Sequence, residues 1–151
     1  MKAKLIHGDI FDIKTDYLVQ QTNIISGSNV GGIAETIKKK FNIWGGVSGD
    51  YFLPGSVEIV KTKDPLIKNI VNLYGQKKPG RESVGDTVEM REEWFRQGLC
   101  ELEILLAKDA KITFPYKIGC GLAGGDWEDV YLPMLNEFSQ VMDHVYIVKN
   151  F

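Results

Sequence analysis

The feature that most constrains this chain is an alternation of short apolar runs with amphipathic stretches. Lys4–His7, Tyr17–Thr22, Ser56–Lys61, Asn69–Tyr74, Lys111–Phe114 and Val145–Val148 read as strands, several rich in Val and Ile and bounded by turn residues. Ile33, Ile37 and Phe41 recur on one side of a short helix, and Phe95, Leu99, Leu102 and Leu106 mark a longer one over Met90–Lys108. A third stripe runs through Trp127, Val130, Tyr131, Met134, Leu135, Phe138 and Met142. Pro133 interrupts it, so its first turn is expected to be irregular and the regular helix to begin near Pro133. Strands that are apolar on both faces and alternate with helices predict an α/β layered domain with a largely parallel sheet. With no repeat, linker or low-complexity tract in 151 residues, the expectation is one domain over 1–151.

Composition narrows the functional classes. Hydrophobic residues make up 44% and charged residues 25%, so a packed core is expected without metal or disulfide staples. The formal charge of −2 provides no broad field toward nucleic acid or an anionic membrane, and any polyanion must be held by local geometry. Cys100 and Cys120 fit no metal-binding or disulfide spacing, and His7 and His144 are the only histidines, so no metal is expected. His7, inside an apolar strand, is expected in the core and His144 on the surface. Trp44, Trp94 and Trp127 are expected as core aromatics, and Lys38-Lys39-Lys40 as a solvated helix face. No run is long and apolar enough to span a bilayer and the N-terminus lacks a signal-peptide pattern, which predicts a cytoplasmic protein.

In a parallel sheet ligands sit beyond the carboxyl ends of the strands, so the residues that follow each strand matter most. The first strand exits through Gly8-Asp9-Ile10, placing a carboxylate at the crevice or, equally, in a local Asx-turn. The second exits through Gln20-Gln21-Thr22-Asn23, where Asn23 can read a sugar hydroxyl or cap the loop. A glycine-rich loop then runs through Val30-Gly31-Gly32-Ile33-Ala34 into a helix, presenting unpaired N–H groups to an anion. It lacks the lysine and spacing of a P-loop. The fifth strand leads to Gly119-Cys120-Gly121-Leu122-Ala123-Gly124-Gly125-Asp126-Trp127. This satisfies G-x-G-x-x-G, but the acid nineteen residues beyond Gly124, Asp143, precedes the last strand, so no dinucleotide half can be completed. Two amide-rich loops at helix starts, one after the second strand and one after the fifth, suit a pyrophosphate.

These segments together resemble the macrodomain family, which binds ADP-ribose, over nearly the whole chain, and the resemblance implies a three-layer α/β/α fold with a mixed, mostly parallel central sheet. The second loop and Asn69-Ile70-Val71-Asn72-Leu73-Tyr74-Gly75-Gln76 are similar to the branch that holds ADP-ribose-1″-phosphate phosphatases, the terminal ADP-ribose protein glycohydrolase and the antitoxin that strips ADP-ribose from DNA. The resemblance implies that Asp9 and the Ile10 N–H serve the adenine, and that Asn23 binds the distal ribose. It also implies that Gly31 to Ala34, with Val30, form the first phosphate loop, that Gly119, Cys120, Gly121, Leu122 and Ala123 form the second, and that Phe151 covers the base. Gln20 joins the binding set, standing where phosphatase-like members carry a histidine. Gln76 stands where covalent glycohydrolases carry a lysine, beside Lys77 and Lys78, and Ala123 where they carry its partner aspartate. Asp126 is the expected polar helper of catalysis and Asn23 the positioning residue, although Asp at a helix start is also a favoured N-cap. The expected ligand is ADP-ribose or ADP-ribose-1″-phosphate, free or on a macromolecule, without cofactor. The expected activity is hydrolysis of the 1″-phosphate, with de-ADP-ribosylation and non-catalytic reading as the alternatives.

Overall fold

A computed structural model describes residues 2–25, 32–44, 52–120 and 124–150. The strands are β1 (Lys4–His7), β2 (Thr15–Asn23), β3 (Val57–Lys61), β4 (Ile67–Gln76), β5 (Lys111–Pro115) and β6 (His144–Lys149), and the α-helices are α1 (Gly32–Phe41), α2 (Val88–Leu105) and α3 (Leu132–Val141). The sheet order is β1-β6-β5-β2-β4-β3. All neighbours run parallel except the β3–β4 hairpin.

Two-sided burial explains the apolar runs. Successive residues of one strand point to opposite faces, so Leu18 and Val19, Ile70 and Val71, and Val148 and Ile147 divide between two cores. Leu18, Ile70 and Val148 join Ile10 and Ile37 under α1, whereas Val19, Val71 and Ile147 join Phe95, Leu102, Leu135 and Phe138 under α2 and α3. The chain is therefore layered α/β/α. Gly98 lets α2 lie close on β4, since a Cβ there would meet the Leu73 side chain at 2.6 Å. Thr87 Oγ1 caps α2 by accepting from the Met90 N–H. The irregular turn ahead of Pro133 is present: Trp127–Tyr131 is a π-turn in which the Tyr131 N–H reaches the Asp126 carbonyl at 3.0 Å, and α3 follows from Leu132.

The strands run longer than their apolar cores, because the polar ends of β2 and β4 continue to pair as far as Asn23 and Gln76. His7 corrects the sequence reading. It is exposed, because β1 is an edge strand with one thinly covered face. His144 is exposed. Trp127 is buried, but Trp44 and Trp94 are only half-buried and lie beneath the ammonium groups of Lys38 and Lys77. No described helix is long and apolar enough to cross a membrane.

Candidate functional site

β2 and β5 are neighbours in the sheet and run parallel, yet the chain leaves them toward opposite faces. After β2 it passes to α1 on one side, and after β5 to the π-turn and α3 on the other. Divergent connections from adjacent parallel strands open a crevice at the carboxyl edge. The exit of β1 borders the same edge, where the Gly8 N–H donates to the Lys149 carbonyl at 2.9 Å.

Three predicted residues are engaged locally. Asp9 is exposed and its Oδ1 accepts from the Phe11 N–H at 2.9 Å, capping the 3₁₀ turn Ile10–Asp12 and burying Ile10. Asn23 is buried, and its Oδ1 accepts from the Ile25 N–H at 3.1 Å. Asp126 is exposed and caps the π-turn, its Oδ1 accepting from the Asp129 N–H at 3.1 Å.

Gln20 is only 1% exposed and points into the α1-side layer. Its Nε2 donates to Asn72 Oδ1 at 2.7 Å. Asn72 Nδ2 donates to Glu58 Oε1 at 3.0 Å, and the Tyr74 hydroxyl donates to the same oxygen at 2.8 Å. Gln20 Oε1 and Glu58 Oε2 are buried without a hydrogen-bond partner among the described residues. This chain of aligned donors crosses three strands, and sequence reasoning missed it. The available signal was amide and carboxylate side chains inside otherwise apolar strands.

Gln76 is also buried, accepting from Gln21 Nε2 at 2.8 Å and donating to the Lys78 carbonyl at 2.7 Å. Lys77 lies over the Trp94 ring, 6.0 Å from its centre, so the cation beside Gln76 is directed toward α2.

Of the first phosphate loop, Val30 and Gly31 lie outside the described residues. Gly32 opens α1 with φ +57°, and nothing lies within 4 Å of where its Cβ would be. Ile33 and Ala34 follow in the first turn, whose N–H groups have no intrahelical partner. In the second loop Gly121, Leu122 and Ala123 lie outside the described residues, as does Phe151. The loop's base is closed by the Gly125 N–H to the Gly119 carbonyl at 3.1 Å, with φ of +77° at Gly119 and +80° at Gly124. The Tyr131 ring fills the space beneath. A Cβ on Gly119 would meet it at 2.8 Å and one on Gly125 at 2.5 Å.

Cys120 requires a correction as an anion donor: its N–H already donates to the Lys117 carbonyl at 2.9 Å, because residues 117–120 form a tight turn. Its thiol donates to the Ile118 carbonyl, and burial, helped by the charge of Asp126, pushes its pKa up to about 12. A thiol so raised is a poor nucleophile at neutral pH. At pH 8 under native conditions, a small alkylating reagent is expected to label the exposed Cys100 and spare Cys120. Peptide mass mapping that finds Cys120 labelled as fast would overturn this assignment. Lys117, Cys120, Gly124, Gly125 and Asp126 line an open hollow of ≈ 430 Å³ at this loop.

The segment after β4 flanks the same loop, bringing Glu82 Oε2 to 2.9 Å from the position of a Cβ on Gly124. Arg91 holds that segment. Its guanidinium pairs with both oxygens of Asp86 at 2.8 Å and donates to the carbonyls of Gly80 (2.7 Å), Arg81 (3.2 Å) and Lys78 (3.3 Å). Arg91 and Asp86 are 1% and 0% exposed, and neither stood out in the sequence. Burial alone would raise the Asp86 pKa, but the Arg91 guanidinium and the amides of Lys78 and Lys77 outweigh it and hold it below the ordinary value. Among the described residues, no group of three or more His, Cys, Asp or Glu could hold a metal ion.

Solved structures share this arrangement at low sequence identity. A Bacteroides thetaiotaomicron protein of unknown function aligns over 100% of this chain and 99% of its own, at 24% identity and TM-score 0.76. The macrodomain of Mycobacterium tuberculosis DarG aligns over 97% of both chains at 19% identity and TM-score 0.68. The fold is the macrodomain fold. DarTG of Thermosipho africanus, solved in complex with ADP-ribose, contains the same fold, aligning over 98% of this chain and 42% of its own at 16% identity and TM-score 0.73. No family model and no curated protein matches the sequence. In this macrodomain fold β2 and β5, which lead on to α1 and to the π-turn, lie side by side with their carboxyl ends at the same edge.

Proposed function

We propose that the carboxyl-edge crevice binds ADP-ribose, with its pyrophosphate between the start of α1 and the loop after β5. The observation that carries this reading is the switch point itself. Adjacent parallel strands send their exits to opposite faces, and one exit begins a helix whose first N–H groups have no intrahelical partner. The complex of Thermosipho africanus DarTG with ADP-ribose supports the choice of ligand. Asp9 and Ile10 serve the adenine end, Asn23 the distal ribose, and Gly32 to Ala34 the phosphates. Gln20 belongs to the same binding set and is held by its bond to Asn72.

The reaction that asks least of these groups is hydrolysis of ADP-ribose-1″-phosphate. Water attacks phosphorus, the bond from phosphorus to the 1″ oxygen breaks, and ADP-ribose leaves with that oxygen. This requires placement and charge stabilisation by main-chain donors, without an amine nucleophile at position 76. The buried, doubly bonded Gln76 disfavours a covalent route through ribose C1″.

Calorimetric titration tests binding. Gly32→Glu is expected to weaken ADP-ribose affinity at least about 100-fold, by placing a like charge beside the pyrophosphate and a side chain at positive φ. Gly32→Ala carries only the backbone strain, so equal losses in the two variants would refute the charge argument. Phosphate release tests the chemistry. Asp126→Asn retains the cap and is expected to reduce turnover with ADP-ribose affinity nearly intact, whereas Asp126→Ala additionally costs about 1 kcal/mol of stability. Unchanged turnover in the Asn variant would leave Asp126 as a cap alone.

A further inference from the structure

A second hollow lies at the opposite edge of the sheet, where α1 ends and the β3–β4 hairpin turns. It measures ≈ 440 Å³ and is lined by Lys40, Phe41, Lys61, Thr62, Lys63 and Asp64 among others. Lysines in the last turn of a helix complement its dipole, which accounts for Lys38, Lys39 and Lys40. It does not account for Lys61 and Lys63, which arrive from the end of β3 and the hairpin to face the same space.

Among the described residues, Lys39 pairs with Glu35 and Lys68 with Asp16, but Lys40, Lys61 and Lys63 are exposed and form no ion pair. The acid in the hollow, Asp64, faces the hairpin backbone, its Oδ2 accepting from the N–H groups of Leu66 (2.9 Å) and Ile67 (3.0 Å). Phe41 is half-buried, its ring 6.2 Å from that of Phe11 and 5.8 Å from the Lys40 ammonium. On a chain of net charge −2, cations concentrated beside a half-buried aromatic ring that lines the same hollow provide the local geometry that polyanion binding requires.

We propose that this hollow binds single-stranded nucleic acid, with Lys40, Lys61 and Lys63 on successive phosphates and a base stacked on Phe41. Lysines alone would suit any polyanion. The ring among them favours a strand whose bases can stack, because every base presents a π-face. The inference does not depend on what the crevice at the other edge binds.

Fluorescence anisotropy with a labelled single strand of about 12 nucleotides tests it. The K40E/K61E/K63E variant changes only exposed side chains. It is expected to bind at least about tenfold more weakly, and its slope of log affinity against log salt is expected to be shallower by about 2, from three contacts at about 0.7 each. Phe41→Leu is expected to abolish the preference of the wild type for a normal strand over an abasic strand of equal length. No binding by the wild type at low salt, an unchanged slope in the triple variant, or equal binding of an abasic strand or of polyglutamate would each overturn the proposal. ADP-ribose titration of the same variant separates the two sites. If the crevice reading fails, the wild type shows no ADP-ribose binding while the oligonucleotide result stands.

Discussion

Arg91→Met is expected to lower the unfolding free energy by about 3–5 kcal/mol, the cost of breaking a buried pair by removing one partner. The guanidinium satisfies both oxygens of Asp86 and three main-chain carbonyls. Methionine leaves the Gly80 and Arg81 carbonyls and one oxygen of Asp86 without this donor, although Asp86 keeps the Lys78 N–H at 2.9 Å and the Lys78 carbonyl keeps Gln76 Nε2 at 2.7 Å. The pH dependence has a definite sign. The folded-state pKa of Asp86 is depressed, so its contribution is present above the unfolded value of about 3.9 and is lost as pH falls through the lower folded value. The gap between wild type and variant should therefore be full at neutral pH and close progressively below about pH 4. Urea unfolding at several pH values checks both points. Asp86→Leu added to Arg91→Met should recover part of the loss, because no charge is then buried without a partner. A single variant within about 1 kcal/mol of wild type would mean that the segment between β4 and α2 is held by something other than this guanidinium.

The strands were legible because their signal is local. Leu18-Val19, Ile70-Val71 and Ile147-Val148 declare two-sided burial by being adjacent apolar residues. Their ends were less legible, since Gln76 and Asn23 look like loop residues until β2 and β4 are paired in register. The polar chain from Gln20 to Glu58 depends on lateral register: Asn72 lies opposite Gln20 on one side and Glu58 on the other, which spacing along the sequence does not encode. Arg91 and Asp86 were hidden for a related reason. A charged pair five residues apart across a helix start is usually solvated, and only the loop wrapped around it removes it from water. His7 misled because β1 is apolar in sequence but lies at an edge, where alternation no longer implies burial.

At the candidate site the sequence marked positions better than roles. Gly119, Gly124 and Asp126 are where a glycine-rich turn into a helix requires them, so the strand-to-helix connection was readable. Which N–H groups remain available to an anion was not readable, because the tight turn that takes the Cys120 N–H appears only in three dimensions. The same burial that makes Cys120 inert makes it useful as packing beneath the loop.

Gly119→Ala is the second large effect expected, and it separates backbone strain from steric fit in that loop. At φ +77° an alanine is disfavoured by about 1–2 kcal/mol, and its Cβ would also meet Tyr131 Cε1 at 2.8 Å and Gln21 Oε1 at 2.9 Å. Overpacking of this kind adds about 1–3 kcal/mol, so the loop should shift away from Tyr131 and ADP-ribose affinity should fall at least about tenfold. Gly85→Ala is the strain control, with φ +78° and nothing within 4 Å of the new Cβ. It should reproduce the strain alone and leave affinity unchanged. Tyr131→Leu removes the ring that the new methyl strikes, so in the Gly119→Ala background it should restore part of the affinity while costing stability on its own account. The two substitutions should therefore couple by about 1 kcal/mol or more in a double-mutant cycle read by calorimetry. Additive losses would show that the ring does not set the loop's position. The crevice would then owe its shape to the backbone turn at residues 117–120 rather than to the aromatic floor beneath it.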